Sequence, residues 1–88
     1  MSKCYRPERL TATGNVTSAA NGGNAIVHLT PAAAVATATI RQSGAGGTII
    51  MDLQAPANGQ SVTSPEFRFE GQLHITLAGA GAFVSALT

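Results

Sequence analysis

His28 and His74 are the side chains best suited to acid–base work, and Asp52 is the only acid outside the N-terminal nine residues and the Glu66–Glu70 segment. Serine and threonine are plentiful, so a Ser/His/Asp set can be written on paper. No Gly-x-Ser-x-Gly elbow presents a nucleophile, however, and no pair of carboxylates sits at a spacing that suggests a cleft. Two isolated histidines and a lone cysteine, Cys4, do not make a metal-ligand pattern. Ser43-Gly44-Ala45-Gly46-Gly47 is glycine-rich but lacks the Lys-Ser/Thr of a phosphate loop and opens no helical period, which predicts a hairpin tip. Ala78-Gly79-Ala80-Gly81-Ala82 reads the same way. No catalytic, cofactor or metal residue is therefore assigned, and the chain is not expected to be an enzyme. His74, between Leu73 and Ile75 on a face predicted to point outward, suits a cross-strand or subunit contact, and Cys4 reads as a spectator thiol.

The elements that carry these residues read as strands. From Ala34 to Arg41, Ala36, Ala38 and Ile40 share one face, with Val35, Thr37, Thr39 and Arg41 on the other. After the glycine-rich connector, Ile49, Met51 and Leu53 alternate with Ile50, Asp52 and Gln54. A period of two marks half-buried strands, and the connector supplies the positive φ angles of a hairpin. Before this hairpin, residues 10–19 alternate weakly, and 25–30 set Val27 and Leu29 against Ile26 and His28. After it, Phe67 and Phe69 are expected inward, then Leu73, Ile75 and Leu77 with His74 and Thr76 outward. Last, Phe83, Ser85 and Leu87 oppose Val84 and Ala86. Asn21-Gly22-Gly23-Asn24, Ala55-Pro56-Ala57-Asn58-Gly59 and Gly71-Gln72 supply turns, and Pro31 and Pro65 end strands. The reading is all-β: a small antiparallel β-sandwich or jelly-roll-like barrel of six to eight short strands. It divides into an extended N-terminal arm, 1–9, and a single domain, 10–88.

Composition then limits what such a domain does. It has 88 residues, no tryptophan, and four aromatic residues in Tyr5, Phe67, Phe69 and Phe83, so its core is thin. Small domains are commonly completed by disulfides, a metal or oligomerisation, and the cysteine and histidine counts leave the third. The charges agree. Lys3, Arg6, Glu8 and Arg9 fall in the arm, and only Arg41, Asp52, Glu66, Arg68 and Glu70 serve the rest. An ordinary surface carries about 25–35% charged residues against 10% here, which predicts a surface covered by neighbours. The net charge of +1 offers no basic patch for nucleic acid, and no apolar run is long enough for a membrane helix. Met-Ser-Lys-Cys-Tyr-Arg leads into no apolar stretch of a signal peptide, which predicts synthesis in a reducing cytosol.

One string stands out: His28-Leu29-Thr30-Pro31-Ala32-Ala33-Ala34-Val35-Ala36-Thr37-Ala38-Thr39-Ile40. It continues with Gly47-Thr48-Ile49-Ile50, Leu53-Gln54-Ala55-Pro56-Ala57-Asn58-Gly59 and Leu73-His74-Ile75-Thr76-Leu77-Ala78-Gly79-Ala80-Gly81-Ala82. Over residues 25–85 this resembles small β-rich virion proteins of tailed bacteriophages. The resemblance implies a virion structural protein made in the bacterial cytoplasm and placed on the capsid surface as a head decoration, or cement, protein. Its partners would be the major capsid protein and neighbouring copies of itself, as trimers. A tail, baseplate or fibre protein is the alternative, and a small surface- or glycan-binding β-module a second. The residues expected to reach a partner are those of the arm, Lys3, Cys4, Tyr5, Arg6 and Arg9, with Tyr5 and Arg6 foremost because Tyr and Arg anchor interfaces most often.

Overall fold

The computed structural model describes residues 7–17 and 19–88. Among them there is no helix, and nine strands form: β1 Pro7–Leu10, β2 Gly14–Asn15, β3 Gly23–Thr30, β4 Ala36–Arg41, β5 Ile49–Ala55, β6 Val62–Thr63, β7 Phe67–Phe69, β8 His74–Ala78 and β9 Phe83–Leu87. They make two antiparallel sheets. The first runs β1-β9-β3-β6, with β7 also paired to β3, and the second runs β2-β8-β4-β5. The molecule measures 35 × 33 × 17 Å, a thickness of two layers about 10 Å apart plus their outward side chains. Of the two architectures expected, sandwich or barrel, this is the sandwich.

The period-two reading accounts for most of the core. Ala25, Val27 and Leu29 of β3, Ala36, Ala38 and Ile40 of β4, and Val84 and Ala86 of β9 are fully buried, and their odd-numbered or even-numbered neighbours face out. Phe69, Leu73 and Ile75 complete the interior with Leu53 and Val16. Ala19, Ala25, Ala36, Ala38, Ala55, Ala82 and Ala86 make up nearly half of it. The core is as thin in side-chain volume as the composition requires.

Three departures have local causes. The boundary drawn between residues 9 and 10 cuts a strand, because Pro7–Leu10 pairs with β9 from Pro7↔Leu87 to Leu10↔Val84. Residues 10–19 are not one strand. The chain bends after Leu10 and crosses to the second sheet, and both oxygens of Glu8 hold the corner by accepting from the Thr17 amide and hydroxyl at 3.0 Å. In β5 the register slips: Ile40 faces Met51, but Arg41 faces Ile49, leaving Ile50 as the extra residue of a β-bulge. Ile49 is therefore 48% exposed and Ile50 packs on the core, the reverse of strict alternation.

β3 shows how the sheet meets its breaks. Its first residues pair with β7 (Gly23↔Phe69 to Ala25↔Phe67) and its last with β6 (His28↔Thr63, Leu29↔Val62). Pro65 separates the two partners, so fully buried Val27 has no strand opposite on that side. Ser64 takes the place of one. The Val27 amide donates to Ser64 Oγ at 2.9 Å, and the Ser64 amide returns a bond to the Val27 carbonyl at 2.8 Å.

Candidate interaction surface

The slab presents two outward faces, and the pairing registers fix what lies on each. On the first sheet, Pro7, Leu87 and Ile26 stand in one row across β1, β9 and β3. The next row is Arg9, Ser85, His28 and Thr63, and Phe83 with Thr30 follows. The Arg9 guanidinium lies 4.3 Å from the centre of the Phe83 ring, a cation–π contact across a diagonal of the ladder. His28 Nδ1 is 2.5 Å from Thr63 Oγ1, and Ser61 Oγ is 3.2 Å from Thr30 Oγ1.

On the second sheet the rows are Asn15, His74, Arg41 and Ile49, then Thr76, Thr39 and Asp52, then Ala78, Thr37 and Gln54. Arg41 Nη1 donates to Thr76 Oγ1 at 3.2 Å. His74 pairs across strands with Asn15, Nδ1 to Oδ1 at 2.8 Å, as its alternation suggested. It is only 7% exposed, though, because Asn15 and Arg41 flank it on both sides, so it is not a solvent-facing histidine.

These placements separate the residues that looked capable of chemistry. His28 and His74 stand on opposite sheets. Asp52 lies one strand beyond the neighbour of His74, about 10 Å away in the pairing direction. Ser85 faces His28 across β9, and the side-chain partner of His28 is Thr63, a hydroxyl, where a triad needs a carboxylate. No group of three His, Cys, Asp or Glu gathers to hold a metal among the described residues, and no cavity opens there.

Of the residues assigned to partner contact, Arg9 is on the outward face of the first sheet, in β1 rather than on a free arm. Lys3, Cys4, Tyr5 and Arg6 lie outside the described residues. Sequence reasoning missed the row of Pro7, Leu87 and Ile26. The only available signal was an apolar residue on each outward face, and which strands neighbour one another is not written in the alternation.

At the ends of the slab, loops interlock. The hairpin tip docks on the turn before β8, the Ser43 amide donating to the Glu70 carbonyl at 3.0 Å and the Gly44 amide to Gln72 at 2.9 Å. Gln72 Nε2 reaches the Val16, Leu73 and Ala19 carbonyls at 2.7, 3.0 and 3.3 Å, tying down the irregular segment after β2. At the opposite end the Asn58 amide donates to Ala32 at 2.7 Å. Ile26 and Leu87, nineteen and eighty residues along from Pro7, are thus brought beside it on one face of the slab. No family model, no curated protein and no solved structure matches this chain.

Proposed function

We propose that the protein is a structural component of a tailed-phage virion, of the kind that decorates the head by binding the major capsid protein beside neighbouring copies of itself. One observation carries the reading: the outward face of the first sheet sets Pro7 beside half-buried Leu87 and Ile26 with Phe83 close by, and the charged side chains among these rows and the next are Arg9 and Arg68, the latter paired with Asn24. An apolar row on an otherwise polar, charge-poor face marks a docking surface. Arg9 stands on this face in β1, and the partner contacts proposed with it are Lys3, Cys4, Tyr5 and Arg6, which precede it in the sequence. The mechanism is additive. Each contact is small, and many copies on a shell stabilise it because they bind only the assembled state. A glycan-binding module would need an open aromatic platform, and the Phe83 ring carries Arg9 over its face.

Attachment is tested by mixing the protein with purified phage shells and counting copies by mass spectrometry. Copy numbers on the order of hundreds place it on the head, whereas numbers on the order of ten place it on the lower-order symmetry of the tail. Ile26→Lys combined with Leu87→Asp sets opposite charges face to face across β3 and β9, which keeps the pair compatible with the fold. The double variant is expected to melt within a few degrees of the wild type and to lose attachment at least about tenfold, since its apolar row is gone. Full attachment by that variant would remove this face from the proposal.

A further inference from the structure

The sandwich has open sheet edges, and they are not alike. β1 is four residues long, begins with a proline, and carries Glu8 and Arg9. β2 is two residues long, and the Thr13 hydroxyl prolongs it by accepting from the Leu77 amide at 3.0 Å and donating to the Leu77 carbonyl at 3.2 Å. β6 and β7 are two and three residues long and divided by Pro65. Short strands, prolines and charges are how proteins blunt an edge. β5 has none of the first two and a single charge. It is seven residues long, Ile49–Ala55, and among the described residues its only strand partner is β4.

We propose that the free edge of β5 pairs antiparallel with β5 of a second copy of this chain, joining the two second sheets into one eight-stranded sheet across a two-fold axis. The occupant is argued from the strand's own side chains. A two-fold pairing that keeps inward residues opposite inward ones centres on a residue, and the longest overlaps of Ile49–Ala55 centre on Met51, Asp52 or Leu53. Centring on Asp52 would set the two carboxylates opposite one another, and centring on Met51 would run the pairing through the bulge at Ile50. Centring on Leu53 sets Leu53 against Leu53 and Met51 against Ala55 on the inner face. On the outer face it sets each exposed Asp52 carboxylate beside the other copy's exposed Gln54 amide, which can donate to it. Every pairing in that register is complementary, which a strand of unrelated sequence would not supply. The partly buried edge of the core, where Ile50 and Met51 pack against it, would gain cover from the same contact. The inference is independent of what the outward face of the first sheet binds.

The full chain is examined by light scattering over a range of concentrations. The expected mass is twice that of the 8.9 kDa chain. Gln54→Asp places two carboxylate pairs opposite Asp52 and is expected to raise the dissociation constant about tenfold or more. Adding Asp52→Lys to Gln54→Asp turns both pairs into attractions and restores the pair. Both sites are exposed, so circular dichroism is expected to match the wild type throughout. Amide exchange supplies a readout that needs no variant: alternate β5 amides are slower to exchange at high than at low concentration, while those of β2 are not. A wild-type chain that stays monomeric, a larger assembly unaffected by Gln54→Asp, a double variant that fails to recover, or β5 amides indifferent to concentration would each overturn the proposal.

Discussion

At Ser64 a single hydroxyl stands in for a strand. Val27 is fully buried, and on the side where β6 and β7 part it has only Ser64 to bond. Ser64→Ala keeps the backbone bond from residue 64 to the Val27 carbonyl but leaves the Val27 amide buried without an acceptor. Stranding a buried donor costs about 1–3 kcal/mol, against a total stability of about 5–15 kcal/mol for a domain of this class. Urea titration of Ser64→Ala is expected to show that loss with an unchanged m-value. Ser61→Ala is the control, because Ser61 is exposed and its bond to Thr30 can be replaced by water, so its effect should stay within about 0.5 kcal/mol. Equal effects from the two substitutions would mean that water reaches Val27.

The β4–β5 hairpin shows what one glycine does for an element. The tip turns through Ser43 at φ 63° and Gly44 at φ 87°, and Gln42 closes it by donating to the Thr48 carbonyl at 3.0 Å. Gly47 needs no left-handed backbone. It must be glycine because the Gln42 carbonyl passes where a Cβ would stand. Gly46, by contrast, has open space there. Gly47→Ala is expected to open the hairpin, or to shift its register, at a cost of several times that of Gly46→Ala, read by thermal melting and by amide exchange across β4 and β5. The sequence carried the alternation of β3, β4, β8 and β9, because each has one face against the core and one outside. It did not carry the bulge at Ile50, since Ile49-Ile50-Met51 is apolar at every position and period two cannot choose among them. It misread residues 10–19 because threonines suit a strand and a bend alike, and the Glu8–Thr17 corner that decides between them is a contact between two elements. The partner surface was hidden for the same reason. Arg9 meets Phe83, and Leu87 meets Pro7 and Ile26, only after β1, β9 and β3 have found one another.

For the whole molecule the question is how so slight a core holds a plate 35 Å across. Seven alanines bury little area each, and at roughly 25 cal/mol per Å² they return less than leucines in the same places would. The chain also crosses repeatedly between sheets, so its contacts close long loops before they stabilise anything. Such a monomer is marginal, and pairing along β5 adds stability only to the folded state. That coupling has a measurable consequence. When a folded pair unfolds to two separate chains, each tenfold rise in total concentration stabilises the pair by about 1.4 kcal/mol, and for a domain of this size the midpoint is expected to rise by several degrees. Calorimetry of the wild type over a hundredfold concentration range is expected to show that climb. Gln54→Asp, which weakens pairing without touching the core, is expected to flatten it and to melt near the wild type's low-concentration limit. A wild-type midpoint that stays constant over the whole range would mean that the alanine core suffices alone, and that the bare edge of β5 contributes nothing to keeping the protein folded.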